Sequence, residues 1–386
     1  MSSLGTPPFA LFSWAAVGLL GLITGSFLNA VIHRLPLGIS LLNPSRSFCP
    51  RCGKTIPWHE NLPVASWVLL RGRCSGCAMP ITIRYPLVEL LTAGLYLLPW
   101  GRFELPLAPV FWIFLSLLVA ATFIDFDHLI IPDEITLGGT AAGILCSTLL
   151  PRLMGAAVWW QGLAWSVLGA ALGYGVLWSV VELGKRTLGT RCIRPEGELS
   201  LEITGNDSEL ILIMAEERMP LAELFYRKSD RVEAMCAWFE IDGERLDGGL
   251  LQIDCEGIRF GDRFWSHSEI TEAMPIRAGV TELILPREAM GFGDVKFLAC
   301  IGAFLGWKGV LFSLFAGSIV GAVVGIAMLA ATKGRSGGRI PFGPYLALGA
   351  LLWVLAGPEL IDLYEGWITG CGTGDVFSLL LHRDRL

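Results

Sequence analysis

Two acidic residues stand at the edges of long apolar stretches. Phe111–Ile124 carries no charge and runs directly into Asp125-Phe-Asp127-His128-Leu-Ile-Ile-Pro132-Asp133. Far downstream, Gly291-Phe-Gly293-Asp294-Val-Lys296 opens another apolar run. A carboxylate at a membrane boundary is costly to ionise, so it marks a candidate functional site. Two carboxylates that approach each other share one proton: the ionised one activates water, and the neutral one donates to a carbonyl oxygen. That is the chemistry of an aspartyl protease. Glycines at 291 and 293 remove side chains from both approaches to Asp294, which leaves room for an extended peptide backbone. Gly291, Gly293 and Lys296 are therefore taken as supporting residues around Asp294. A lone Asp at a helix end is more often a cap or an interface charge. Asp127 and Asp133 are read in that way, and the same reading is open for Asp294.

Four of the ten cysteines form a second constellation, Cys49-Pro-Arg-Cys52 and Cys74-Ser-Gly-Cys77. Each pair sets two thiolates on a tight turn, and two such knuckles complete a tetrahedral S4 site for zinc. A closed S4 shell has no position left for water, so this metal would fold the loop and not catalyse. Disulfides and a thiol redox pair are the weaker readings, given a cytosolic loop with no thioredoxin-like pattern. The other six, Cys146, Cys192, Cys236, Cys255, Cys300 and Cys371, are scattered and read as packed or free thiols.

These residues must be held by helices that cross a bilayer. Stretches free of Asp, Glu, Lys and Arg cover 1–33, 105–124, 135–151, 153–181, 309–332 and 340–358. Most approach the roughly 20 residues that span a hydrocarbon core. Two shorter runs, 90–101 and 297–307, qualify if Glu89 and Asp294 sit at their ends. No Lys or Arg precedes the first run, so it reads as a retained span and not a cleavable signal. Basic residues concentrate in 34–84, at Lys185-Arg186, and at Lys333, Arg335 and Arg339; the opposite connections offer Arg102, Arg152 and Lys308. The positive-inside rule then puts the N-terminus outside and both acids, with the cysteine loop, on the cytosolic side.

Only 17% of the residues are charged, against about 25% in a soluble domain, and the mean hydropathy is +0.58. The charge is uneven. Residues 189–288 hold 11 of the 29 basic and 21 of the 35 acidic side chains, a net of −10, while the remainder carries +4. This block reads as mostly β, with a strand over 197–205, a hairpin over 248–265 turning at Glu256-Gly257, and a helix over 220–228. It contains no ligand motif, and a docking or spacer role is its plainest reading. Disorder, a coiled coil and a secreted disulfide mini-protein are excluded, and no basic stripe exists to neutralise nucleic-acid phosphates.

The expected fold is an all-α polytopic membrane protein with about eight transmembrane helices, a cytosolic zinc-knuckle loop and an inserted mostly-β soluble domain. Its expected parts are a first helix (1–34), the zinc loop (35–85), helices two to five (86–188), the acidic insert (189–288), helices six to eight (289–358) and a tail (359–386).

Six motifs arriving in order resemble the type IV prepilin peptidases, the leader peptidases of the A24 type. They are Gly25-Ser-Phe-Leu-Asn-Ala-Val-Ile-His-Arg-Leu-Pro36, the two cysteine pairs, Ile83-Arg-Tyr-Pro-Leu-Val-Glu-Leu-Leu-Thr-Ala93, Ile124–Asp133, Arg287-Glu-Ala-Met-Gly-Phe-Gly-Asp-Val-Lys296 and Pro341-Phe-Gly-Pro-Tyr-Leu-Ala-Leu-Gly349. The resemblance implies that Asp125, seven residues before Pro132, and Asp294 are the catalytic pair. It implies cleavage of a basic leader from prepilins or pseudopilins at the cytosolic face of the bacterial inner membrane. It also implies N-methylation of the new terminus with S-adenosylmethionine, for which the residues themselves offer no glycine-rich binding loop. The departure is the insert, which parts Lys185-Arg-Thr-Leu-Gly189 from Arg287 where typical members have a short linker; a docking partner for it is an open expectation. A different class of protein, a non-enzymatic membrane assembly or transport protein with a zinc loop, is the alternative. Acids on one face only, without repeat symmetry, argue against transport.

Overall fold

The structure, a computed structural model, describes residues 7–43, 46–49, 51–188, 190–195, 197–206, 209–214, 217–221, 231–270, 274–286, 291–331 and 341–369. It divides into two compact units, Met1–Trp178 with Gly291–Leu386, and Ser179–Met290.

The first unit is helical. Its long helices are α1 (Pro7–Arg34), α3 (Arg84–Arg102), α4 (Leu107–His128), α5 (Asp133–Leu149), α6 (Trp159–Leu188), α7 (Phe292–Ala331) and α8 (Gly343–Thr369), with a short α2 (Ala65–Leu69) in the first connection. Four of them contain stretches long and apolar enough to cross a membrane: Leu11–Arg34, Leu107–His128, Trp159–Gly184 and Phe292–Ala331. A shorter apolar segment covers Gly343–Gly357. The apolar run 297–307 and residues 309–331 of the next both lie in α7, which breaks at Gly306, where φ is 67° and ψ is −175°. A break in an apolar helix strands backbone carbonyls that must find donors. Here the hydroxyls of Ser147 and Ser166, both buried, donate to the Ala303 carbonyl at 3.2 and 2.7 Å.

Small residues set the packing, as expected where lipid removes the hydrophobic drive between helices. On α1, a side chain at Gly21 would meet the backbone of Ala93, and one at Gly25 the backbone of Glu89. Asn29 continues the antiparallel register by donating from Nδ2 to the Tyr85 carbonyl at 3.1 Å. Helix α4 sits among α1, α3, α5 and α8 and is the most buried, with Phe114, Ala121 and Ile124 fully covered. The Phe114 ring lies 4.8 Å from that of Phe304 on α7.

Helix α3 begins at Arg84, before the uncharged run that starts at residue 90, because its charges have partners. Arg84 pairs with Asp127 and also lies over the Phe123 ring. Glu89 accepts the Val64 N–H at 2.7 Å.

The second unit is an antiparallel sheet of β1 (Thr190–Ile193), β2 (Leu199–Asn206), β3 (Glu209–Met214), β4 (Glu217–Pro220), β5 (Val232–Ile241), β6 (Glu244–Ile253), β7 (Gly257–Phe260), β8 (Arg263–Ser266) and β9 (Ile276–Pro286). The order is β4-β3-β2-β9-β5-β6-β7-β8, with β1 also on β9. Alternation sends Leu201, Ile203, Phe239, Leu251, Ile253, Ile258 and Val280 into one core. Each such side chain contributes about 1.5–3 kcal/mol on burial. The turn after β6 forms where Asp254 Oδ1 accepts the N–H groups of Glu256 and Gly257 at 2.9 and 3.1 Å. The expected helix over 220–228 falls mostly outside the described residues, and Cys371 lies outside them as well.

Candidate active site

Asp125 occupies the last turn of α4 and is 5% exposed; Asp294 occupies the first turn of α7 and is 9% exposed. Ile131 lies beside both: it packs against Gly293, next to Asp294, and against Gly343, whose Cβ position is 2.7 Å from Asp125 Oδ2. The approach depends on the connection between α4 and α5. Leu129 closes α4 in the left-handed conformation, and its N–H donates to the Asp125 carbonyl at 3.0 Å. The chain then passes through Ile131, which is buried. A Cβ placed on Gly293 would stand 3.3 Å from the Ile131 backbone nitrogen. The missing side chain at 293 thus lets the start of α7 rest on this connection, bringing Asp294 to Asp125. Gly291 differs: a Cβ there would meet only Asp294 Oδ2, at 3.7 Å. Of the two glycines, 291 is the one with little around it.

A third element completes the site. Gly343, at the start of α8, donates its backbone N–H to Asp125 Oδ2 at 3.0 Å. The first N–H groups of a helix have no partner within it, and a carboxylate is a favourable acceptor there. The sequence signal for this contact is Gly343-Pro344 opening a helix, a pattern that marks a helix N-terminus but does not name the acceptor.

The remaining charges turn elsewhere. Lys296 Nζ pairs with Asp133 Oδ1 at 2.6 Å and lies over the Phe292 ring. It ties the start of α7 to the start of α5 without a bond to Asp294 among the described contacts. Asp127 is held by Arg84. Both neighbouring acids therefore serve as ion-pair partners.

The four cysteines meet in the first connection. The Sγ atoms of Cys49, Cys52, Cys74 and Cys77 lie within 4.8 Å of one another, and those of Cys49 and Cys77 are 3.7 Å apart. Zinc–sulfur bonds of about 2.3 Å in a tetrahedron place sulfurs about 3.8 Å apart, so the donor set fits that ion. The two knuckles are built alike. Cys49 N–H donates to the Lys54 carbonyl and Cys74 N–H to the Met79 carbonyl, at 3.0 and 2.9 Å. In each, the residue four past the first cysteine has positive φ: Gly53 (69°) and Ala78 (55°). The N–H groups of Cys52 and Arg51 hold the Cys49 thiol well below the ordinary thiol range, at about 6. Those of Cys77 and Gly76 lower Cys74 in the same way. These amides favour the thiolate form of both sulfurs, the form that binds metal.

The bacterial peptidase A24 N-terminal domain matches residues 19–103, and the type IV leader peptidase family matches 112–202 and 262–326. The prepilin leader peptidase/N-methyltransferase of Aeromonas hydrophila is 31% identical over 90% of this chain and 92% of its own length. The chain belongs to the type IV leader peptidase family. Relatives carrying the same name in Myxococcus xanthus and Pseudomonas putida are 33% and 28% identical, over 86% and 88% of this chain and 67% and 90% of theirs. No solved structure matches the chain. As a leader peptidase family member it carries Asp125 and Asp294 on the two matched stretches of the second family model, and all four cysteines within the first. Gly343 lies beyond both matches yet touches Asp125.

Proposed function

We propose that this protein is a prepilin peptidase of the inner membrane, cleaving the leader of a prepilin or pseudopilin with Asp125 and Asp294 as its catalytic pair. The observation that carries this is the convergence of two buried carboxylates, from helices far apart in sequence, at helix ends beside an open glycine. The pair shares one proton. The ionised carboxylate takes a proton from a water between them, and the oxygen attacks the scissile carbonyl. The other carboxyl donates its proton to the carbonyl oxygen; when the gem-diol collapses it recovers that proton, and the first carboxyl passes the proton taken from water to the leaving amine. Gly343 holds Asp125 Oδ2, Ile131 and Gly293 set the separation, and Gly291 leaves a path for the substrate backbone.

The protein is multi-pass, and the eight apolar runs are its spans, with α7 contributing two on either side of Gly306. Trp14, Trp100, Trp159 and Trp160 gather at the helix ends opposite the acids, as an interfacial belt would. The acids and the cysteine loop then face the cytosol, where a basic leader remains while the apolar segment behind it lies in the bilayer. The S4 cluster holds structural zinc, which would fold the loop and take no part in hydrolysis. The acidic insert, 189–288, is an accessory domain that could carry a docking partner.

Methylation of the new N-terminus with S-adenosylmethionine is the second activity. Among the described residues, the helical unit has no strand–glycine turn–helix of the kind that cradles such a cofactor, so this activity rests on the family relationship alone. Co-expression with a prepilin, followed by mass spectrometry of the product's N-terminus, tests both activities. A shortened pilin beginning with N-methylated phenylalanine is expected, and an intact leader would end the peptidase reading.

A further inference from the structure

We infer that the cysteine loop also rests on the lipid surface, through an apolar edge formed by Trp58, Val68 and Leu69 beside α1 and α3. The inference rests on the membrane reading above. These three side chains are 73%, 61% and 77% exposed, in a loop that four sulfurs already hold together. A small connection would ordinarily cover such residues or replace them.

Their depth points to what covers them. Glu89 lies five residues inside α3, about 7.5 Å along the helix from Arg84. Its carboxylate accepts the Val64 N–H at 2.7 Å. Gly25 is pressed against Glu89 at the same level. Val64, the residue just before α2, is therefore held against α3 at the level where α1 packs on it, inward of the Arg84–Asp127 charges. Leu87, Leu90 and Leu91 of α3 are exposed around this level, so α3 presents apolar side chains there as well.

The orientation of α2 is fixed by its other face. Ser66 is buried, donating from Oγ to the His59 carbonyl at 3.2 Å. The Trp67 indole donates to the Ile81 carbonyl at 3.0 Å, and its ring fills the space beside Gly72. Val68 and Leu69 are left facing outward. Arg71 and Arg73 follow at once and are exposed. An apolar edge with tryptophan, bordered by arginines, is the composition of an interfacial segment meeting acyl chains and anionic headgroups.

The test places the photoreactive residue p-benzoylphenylalanine singly at Trp58, Val68 or Leu69 of the full-length protein. The protein is reconstituted in vesicles of phosphatidylethanolamine and phosphatidylglycerol. Ile326, 69% exposed on α7, serves as the control within a span, and Glu256, in a turn of the acidic unit, as the control outside. After irradiation, mass spectrometry is expected to find lipid adducts at 58, 68 and 69 at the level of Ile326, with background at 256. Adducts at 326 but none at the loop positions would overturn the inference. So would cross-links from 68 or 69 to a second copy of the chain or to an added prepilin in place of lipid. Absence of lipid adducts at 326 itself would instead overturn the membrane reading on which the inference stands.

Discussion

Gly343 and Asp125 are 218 residues apart in sequence, and the backbone N–H of one is 3.0 Å from the carboxylate of the other. The start of α8 thus joins the ends of α4 and α7 as a third wall of the acidic site. No side chain fits at 343: a Cβ there would stand 2.7 Å from Asp125 Oδ2 and 2.9 Å from Ile131 Cδ1. Gly343→Ala is expected to push the carboxylate aside and lower kcat/KM for leader cleavage by about a hundredfold, the scale of an ångström's misplacement. Cleavage assays on membranes containing equal amounts of variant and wild type check this. An unchanged rate would mean that Asp125 does not depend on α8.

The acids that already have basic partners should behave differently. Asp127→Asn loses a pair with Arg84, and Asp133→Asn a pair with Lys296, both partly exposed. Partly exposed pairs are worth about 0–1 kcal/mol. Both variants are expected to cleave a prepilin within about fivefold of wild type. Loss of activity in Asp127→Asn on the scale of an Asp125 variant would move the catalytic assignment two residues along.

Metal should be found in the first connection. Elemental analysis of protein purified without chelator is expected to give about one zinc per chain. Replacing Cys49, Cys52, Cys74 or Cys77 with Ser should lower that content and open 49–77 to proteolysis, because metal binding and folding of so small a loop are one event. Stoichiometric zinc in all four variants would contradict an S4 site.

How much of this is legible in the sequence depends on the kind of signal. The knuckles are, since Cys-x-x-Cys pairs carry their own geometry. The two acids are visible as charges at the ends of apolar runs, where a lone Asp is more often a cap, and their burial is not. Gly343 is legible only as a helix start, because a backbone N–H does not name its acceptor and its partner comes from a distant helix. Gly293 is only half legible: its small size is visible, but the packing of Ile131 against it is not. In the acidic unit, strand β2 shows through Leu199, Leu201 and Ile203. Strands β5 and β9 do not, because β5 carries Met235 on its exposed face, bulges near Cys236, and β9 borrows its order from pairing on both sides.

The insert leaves and returns at one place. Thr190 in β1 lies opposite Pro286 in β9 in an antiparallel pair. Such partners are about 4.5–5.5 Å apart at Cα, a gap that one peptide link can bridge with little adjustment. Deleting 190–286, which joins Gly189 to Arg287, is therefore expected to give a protein that inserts in the membrane and still cleaves a prepilin, with altered preference among substrates. Normal insertion without cleavage of any substrate would make the domain part of the catalytic machinery.

The most direct measurement is leader cleavage by Asp125→Asn and Asp294→Asn, each assayed beside wild type on the same prepilin after confirming equal membrane insertion. An amide can neither activate water nor exchange the shared proton, so each variant is expected to lose about a thousandfold or more in rate. Cleavage at the wild-type rate by either variant would contradict the aspartyl mechanism.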